Sequence, residues 1–161
     1  MAYTYSKIAT VTVGSGGVGT VNFLAIPQNY TDLLLKVSAR TSRTADEDGL
    51  YVSLNGIALT AGRDLESNGS SASSVNTLTS YGTWFTRING NTATANTFGN
   101  AEIYIPNYTT GFAKSISVDG VTENNGTTAY MNLVAANWQP NGSGINSLTF
   151  WANANFSQYS T

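Results

Sequence analysis

The sequence contains neither histidine nor cysteine, so the side chains that most often carry catalysis near neutral pH are missing. Histidine is the usual proton shuttle at that pH, and the cysteine thiolate is a common nucleophile and zinc ligand. Serine–histidine and cysteine–histidine catalysis are therefore excluded, and so are disulfide bonds. Carboxylates and aromatic rings are considered next, and we predict no cofactor.

Carboxylates are the next group to consider, because glycoside hydrolases act with two Asp or Glu residues that face each other across a cleft. The carboxylates from which such a pair would be drawn are Asp32, Asp64, Glu66, Glu102, Asp119 and Glu123. Alternation of polar and apolar residues places Glu102 and Asp119 at outward positions of strands, which is typical of ordinary surface residues. We therefore predict that the protein is not an enzyme, and a glycan hydrolase stays open only if two carboxylates converge.

Three adjacent acids, Asp46, Glu47 and Asp48, form the densest carboxylate group in the chain. Calcium loops need oxygen ligands that are spaced along the chain around a bend that glycine permits, and adjacent acids lack that spacing. Arg40 and Arg43 lie just upstream, so a solvated loop with balanced charges is the simpler interpretation. We predict no metal site.

The segment Gly14-Ser-Gly-Gly-Val-Gly19 has the glycine spacing of a dinucleotide-binding loop. That motif requires a helix directly after the glycines, so that the helix N-terminus faces the pyrophosphate. Here the next residues, Thr20-Val-Asn-Phe23, are mostly β-branched or aromatic, and Pro27 follows closely. We interpret the glycines as a hairpin turn.

Aromatic side chains could bind a sugar ring or a partner subunit, and the set considered is Trp84, Tyr104, Tyr130, Trp138 and Trp151. Tyr104 and Trp151 have the opposite parity from their apolar neighbours, so both are predicted to face outward. Tyr and Trp are enriched in protein interfaces, which favours a subunit contact over a glycan. The candidate interface or ligand-binding residues are Tyr104, Trp138, Trp151, Arg40 and Arg43.

The elements that would position these residues are β-strands. The clearest alternation runs from Asp32 to Arg40, where one parity is apolar and the other, Lys36, Ser38 and Arg40, is predicted to face out. Further strands are predicted at 3–13, 20–26, 50–54, 81–88, 98–105, 112–121, 127–137 and 145–152, with turns such as Asn55-Gly56, 89–91, 124–126 and 140–144 between them. Residues 57–80 are predicted to form a long surface loop, because the small polar run from Ser67 to Ser74 cannot bury enough apolar surface. A short helix around Arg63 to Glu66 is an alternative within that loop.

About eight or nine short strands at this spacing predict an all-β fold, an antiparallel β-sandwich that is jelly-roll-like. The chain has 161 residues, and we expect residues 1–161 to form one sandwich domain. Helix content is expected to be very low.

The composition bears on partners, because charged residues make up only 10% of the sequence, against about 25% in a typical globular domain. The net charge is −2 and the few Lys and Arg residues are scattered, which argues against nucleic-acid binding. Low charge leaves little repulsion between copies and suits an assembly, although a stable Thr- and Asn-rich domain without a special partner would have the same composition. The sequence also lacks an apolar run of ~20 residues and a secretory signal, so we expect synthesis in the cytoplasm.

Three segments carry a resemblance to known proteins: Tyr3–Val13 with its glycine turn, Ile26–Arg40, and Leu50–Gly56, which ends in Leu-Asn-Gly. Together they resemble a family of small virion proteins of tailed bacteriophages, which occur as head-decoration, capsid-fibre or tail-appendage components. The similarity covers about the first third of the chain, and the C-terminal strand pattern only loosely.

The resemblance implies a β-sandwich displayed in several copies on a virion, with trimers as the expected oligomer and no catalytic residues. The expected partners are copies of the chain and other virion proteins, without nucleic acid or membrane insertion. The alternative is a tail-fibre adhesin that binds host-surface glycans through Trp84, Trp138, Trp151 and loop asparagines. In similar proteins a final apolar strand often follows a segment such as Leu148-Thr-Phe-Trp151, whereas this sequence ends at Thr161.

Overall fold

The computed structural model describes residues 5–59, 61–76, 78–79, 82–123 and 129–161, and it gives only the backbone of residues 78, 79, 82 and 83. Tyr3, Tyr81 and the predicted turn at 124–126 lie outside these residues. The described residues form twelve strands, and no helix long and apolar enough to cross a bilayer is found among them. The strands are β1 (Val18–Phe23), β2 (Leu33–Ala39), β3 (Glu47–Leu54), β4 (Ile57–Ala58), β5 (Ala61–Ser67), β6 (Ala72–Asn76), β7 (Leu78–Thr79), β8 (Gly82–Asn89), β9 (Gly99–Ile105), β10 (Lys114–Glu123), β11 (Ala129–Trp138) and β12 (Leu148–Phe156).

Two six-stranded sheets pack against each other, and every pair of neighbouring strands within them is antiparallel. The first sheet has the order β1-β12-β3-β8-β7, with β4 paired to β3, and the second has the order β2-β9-β10-β11-β5-β6. Consecutive strands often share a sheet, as β3 and β4, β5 and β6, and β9 to β11 do, and the chain crosses to the other sheet between these groups. The predicted all-β fold, an antiparallel β-sandwich, is therefore confirmed.

Strict alternation along the long strands produces the core between the sheets. In β10, Ile116 and Val118 are buried, whereas Ser117 and Asp119 are exposed. Gly120 occupies the next inward position because the sheets approach closely there: a Cβ atom on it would lie 1.9 Å from Thr86 Oγ1 on β8. The largest apolar side chains that fill the core are Trp138, Tyr108, Phe85, Leu50, Leu54, Ile88, Ile103, Ile105 and Ile145.

The strand predicted from Tyr3 to Val13 is wrong over its described part, because residues 5–13 belong to no strand. Tyr5 is 79% exposed, and only Val13 of this segment is buried. Thr161 explains the difference: its backbone exchanges hydrogen bonds with Ser38 at the free edge of β2, of 2.6 and 2.8 Å. Thr161 thus occupies the pairing position that the opening segment would need, and its hydroxyl donates to the Val11 carbonyl over 2.9 Å.

The long loop predicted for residues 57–80 is also wrong, since this segment contributes β4, β5, β6 and β7 and raises the strand count above the predicted eight or nine. The inward positions of β5 are Gly62 and Asp64, which are small or polar, so the usual apolar signal was missing. β5 is ordered by backbone pairing with β11 from Ser67↔Met131 to Ala61↔Asn137. The alternative helix at 63–66 is excluded by the same pairing.

The glycine-rich segment forms a turn that leads into β1 at Val18, but it is not the predicted hairpin turn, because no strand precedes it in the described residues 5–14. Gly17 N–H donates to the Gly14 carbonyl, and Gly16 and Gly17 have φ of +96° and +72°. A Cβ atom on Gly17 would lie 2.5 Å from the Phe156 carbonyl oxygen, so only glycine fits. No helix follows, and the dinucleotide-binding interpretation is excluded.

Candidate interaction surfaces

The outer face of the second sheet is a regular surface built from six strands. Antiparallel register brings its outward side chains into rows that cross β2, β9, β10, β11 and β5. One row is Leu34, Tyr104, Ser117, Ala135 and Arg63; the next is Lys36, Glu102, Asp119, Leu133 and Leu65; the third contains Val121 and Met131. These rows mix small, apolar and few charged groups.

Four apolar side chains in these rows form one contiguous group, which we term the apolar patch: Leu65, Val121, Met131 and Leu133. Leu133 lies directly opposite Leu65, and Met131 directly opposite Val121. Their exposed fractions are 49%, 41%, 42% and 43%, so each keeps much of its side chain in water. Contiguous exposed apolar surface with a polar surround commonly marks an interaction site.

Sequence reasoning missed the apolar patch, although β11 carries a signal for it. Leu133 and Val134 are adjacent, so apolar residues occupy both parities of the strand. Apolar residues at both parities are typical of a strand that is covered on both faces. Val134 is buried in the core, and Leu133 is the residue for which no cover is provided within the described chain.

Tyr104 lies on this same face, as its parity predicts, and is 41% exposed. Its hydroxyl donates to Asp32 Oδ2 over 2.9 Å, and this hydrogen bond raises the pKa of Tyr104. Leu34, Tyr104, Asp119 and Leu133 line one shallow depression beside the apolar patch. Tyr104 therefore belongs to the rim of that surface.

Trp151 faces outward on the opposite side of the molecule, on the first sheet. It is paired with Tyr51, which is paired with Trp84, so three aromatic residues form a row across β12, β3 and β8. Trp151 stacks on Tyr51 with ring centroids 5.7 Å apart and an interplanar angle of 11°. Tyr104 and Trp151 are thus both outward, as predicted, but they lie on different faces and cannot form one binding site.

At the other end of this row, Arg87 binds the two sheets together. Its guanidinium carbon lies 4.7 Å from the Trp84 ring centroid and 5.5 Å from that of Tyr130. It forms ion pairs with Glu47 of the first sheet and with Glu66 of the second, the latter over 2.8 Å. Burial by itself lowers the pKa of Arg87, but the hydrogen bonds to both carboxylates give a net increase. Glu66 is therefore committed to an ion pair and is not a free catalytic acid.

Asp64, another carboxylate considered for catalysis, is fully buried beside this group. Asn132 Nδ2 donates to its Oδ2 over 2.8 Å, whereas no hydrogen bond reaches Oδ1 from the described protein atoms. Burial raises the pKa of Asp64 to about 6, against the partial compensation of the Asn132 hydrogen bond. A carboxylate sealed inside the sandwich does not face a cleft, so it does not form the catalytic pair that the hydrolase alternative requires.

Three predicted interface residues do not present free side chains. Trp138 is completely buried, because it lies at an inward position of β11. Arg40, predicted to face out, is 9% exposed, and its guanidinium donates four hydrogen bonds, to the carbonyls of Asn91, Ala93, Thr94 and Thr97. Arg43 is exposed but contacts Asp48 at 3.6 Å and the Glu47 carbonyl at 3.2 Å. Arg40 therefore orders the connection between β8 and β9, and Arg43 contacts the start of β3.

The acidic run at 46–48 is divided among structural contacts. Asp48 is fully buried and accepts hydrogen bonds from the Thr41 hydroxyl, the Gly49 N–H and the Asn153 amide. Glu47 pairs with Arg87, and Asp46 accepts a hydrogen bond from the Tyr130 hydroxyl at 3.3 Å. Among the described residues no group of His, Cys, Asp and Glu is arranged to hold a metal ion.

A third open surface lies along the seam between the edge strands β1 and β2, and we term it the seam groove. It has a volume of about 1180 Å³ and is lined by the opening segment, residues 5–11, and by core side chains that include Val21, Leu35 and Phe150. Thr161 lies within it, against Ser38 of β2. The opening segment therefore covers core residues without contributing a strand to either sheet.

Comparison of this chain with protein-family models, with curated proteins and with solved structures found no match.

Proposed function

We propose that this protein is a structural component of a tailed-bacteriophage particle, displayed on the virion as a decoration, cement or appendage subunit. Its role is to bind copies of itself, as trimers in the expected case, and other virion proteins. It is made in the host cytoplasm and has no catalytic role. The resemblance of three N-terminal segments to such proteins supports a location on a phage particle. The apolar patch on the outer face of the second sheet supports a role in binding other subunits.

The apolar patch is the observation that carries this proposal. Full burial of a leucine contributes about 1.5–3 kcal/mol, so several half-exposed apolar residues in one group are a substantial unused source of binding energy. A low charge across the chain adds little repulsion between neighbouring subunits. Subunit binding through the outer face of the second sheet uses both properties.

The test compares two leucines that differ in position and not in chemistry. Leu133→Lys introduces a charge into the apolar patch, whereas Leu24→Lys changes a leucine that is 73% exposed in the turn after β1. Particles assembled with each variant are purified, and their content of this protein is measured by mass spectrometry. We expect Leu133→Lys to reduce incorporation on the order of tenfold, and Leu24→Lys to leave it unchanged.

Circular dichroism confirms that both variants fold before incorporation is compared. If folded Leu133→Lys is incorporated as well as the native chain, the apolar patch is not the binding surface. If the native chain itself is absent from purified particles, the virion role is wrong.

A second function, binding of a host-surface glycan, is favoured by one separate observation, the aromatic row on the first sheet. Flat aromatic rings offer apolar faces to sugar rings, and Trp151 is partly exposed at the end of this row. In a chain that keeps its fold, Trp151→Ala would then abolish binding to a glycan array and reduce host adsorption. Unchanged adsorption by that variant excludes this function.

A further inference from the structure

The outer face of the second sheet carries three exposed charges without partners among the described residues, Arg63 on β5 and Asp119 and Glu123 on β10. Within the described part of the chain, the side chains of these three residues take part in no ion pair or hydrogen bond. By contrast, Lys36 and Glu102 on the same face pair with each other over 2.7 Å. Glu123 is the last residue of β10, whereas Arg63 and Asp119 provide a positive and a negative contact point nearer the middle of this face.

These two charges lie on either side of the strand that carries the apolar patch. The sheet order β10-β11-β5 places Asp119 and Arg63 one strand away from β11 in opposite directions. Register places Asp119 in the row of Leu133, and Arg63 in the neighbouring row, opposite Ala135. Neighbouring residues on one face of a strand are about 7 Å apart along it.

Two copies of this face can pack against each other about a two-fold axis that is parallel to β11 and lies above its outer face. Such an axis places β5 of one copy over β10 of the other, because the two strands flank β11 symmetrically. Arg63 then lies above Ser117, one row from Asp119 of the other copy, which is within the reach of an arginine side chain. Leu133 and Met131 lie near the axis and pack against their own counterparts.

The size of the face also suits a second copy. Six strands about 4.8 Å apart and about seven residues long cover roughly 29 by 23 Å before side-chain relief is counted. Specific interfaces bury about 800 Å² on each partner, so this face is close to the area that a stable dimer needs.

We propose that two copies of this chain associate through the outer faces of their second sheets, with Leu133 and Met131 at the centre and two symmetric Arg63–Asp119 ion pairs beside them. The inference rests on the proposed function in that this face is taken as the surface through which subunits bind. A two-fold contact is compatible with trimers, since it would join two of them. The mass in solution is then an even multiple of the subunit mass.

The experiment uses three full-length proteins in analytical ultracentrifugation at low salt: the native chain, Arg63→Asp and Asp119→Arg. Each variant alone brings like charges together at both ion-pair positions, and we expect its two-fold association to weaken by on the order of tenfold or more. An equimolar mixture of the two variants restores opposite charges at both positions. We expect the mixture to regain the mass of the native protein.

Rescue in the mixture distinguishes a contact between copies from any effect within one chain, which mixing cannot repair. If the variants alone associate as the native chain does, or if the mixture shows no rescue, the two-fold pairing is wrong. The Leu133→Lys variant separates failure of the two-fold pairing from failure of the proposed function. If Leu133→Lys is not incorporated into particles, but the mixture of Arg63→Asp and Asp119→Arg shows no rescue, the two-fold pairing is wrong. The apolar patch is then retained as a binding surface for another virion protein.

Discussion

At the residue scale, Asp64 shows how a polar group inside the sandwich affects stability. Its carboxylate is fully buried, and its pKa is raised from 3.8 to about 6, mainly by loss of contact with water. The folded state therefore binds this proton more tightly than the unfolded state does. Linkage requires that stability falls as the pH rises from about 4 through 6, because the folded protein must then keep a charge in its interior.

Replacing Asp64 by Asn removes that charge while retaining an oxygen acceptor for Asn132. We expect Asp64→Asn to raise the free energy of unfolding by roughly 2–3 kcal/mol at pH 7.5, and to have little effect at pH 4. Urea denaturation at both pH values measures the difference. Glu123→Gln, which changes an exposed carboxylate, serves as the control and should show no such pH dependence. An equal effect of Asp64→Asn at both pH values would contradict the explanation.

At the element scale, the β3–β4 hairpin depends on one asparagine. Asn55 and Gly56 connect the strands with φ of +52° and +73°, values that suit a two-residue hairpin turn. The Asn55 side chain accepts hydrogen bonds from the N–H groups of Asn146 and Ser147 and donates to the Gly144 carbonyl over 2.8 Å. The turn thereby holds the segment that leads into β12.

Asn55→Gly keeps the backbone conformation and removes only these side-chain hydrogen bonds. Because each contributes about 1 kcal/mol, we expect a loss of roughly 2–3 kcal/mol in the free energy of unfolding. The matched control is Asn107→Gly: Asn107 is exposed, has φ of +49°, and its side chain makes no hydrogen bond among the described residues. Thermal denaturation that shows equal stability for both variants would disprove the role of Asn55.

The elements also show what alternation in a sequence can and cannot predict. Asp32–Arg40 was predicted correctly as a strand because Leu33 and Ala39 are buried and Lys36 is exposed. Tyr3–Val13 has the same pattern, but alternation does not reveal that Thr161 already occupies the edge of β2. Trp138 was wrongly predicted to be an interface residue, although it is buried at an inward position of β11. Alternation gives the parity of a residue along its strand, but it does not show which parity the opposite sheet covers.

The candidate interface shows the same limit. Parity was sufficient to place Tyr104 and Trp151 outward, although sequence could not show that they lie on opposite faces. The apolar patch arises from β10, β11 and β5, which are distant in sequence and adjacent only through sheet order. Leu65 belongs to a segment without an apolar pattern, so its contact with Leu133 could not be predicted.

At the scale of the whole molecule, the fold is closed by its last strand. β12 lies inside the first sheet, between β1 and β3, and Leu148, for example, pairs with Phe23 on one side and with Leu54 on the other. Leu148, Phe150 and Phe156 place their side chains in the core. Until β12 is in place, β1 has no pairing partner within the described chain, and β3 has only one side paired.

The two ends of the chain should therefore differ sharply in importance. We expect a chain that lacks residues 148–161 to remain unfolded, because it loses a central strand together with its core residues. A chain that lacks residues 1–12 should keep a cooperative transition at lower stability, since residues 5–12 pair with no strand but cover the seam groove. Near-ultraviolet circular dichroism during thermal unfolding distinguishes these cases. A native-like spectrum from the chain that lacks residues 148–161 would contradict closure of the fold by β12. If the chain that lacks residues 1–12 is unfolded, the opening segment is required for folding, which its hydrogen bonds do not indicate.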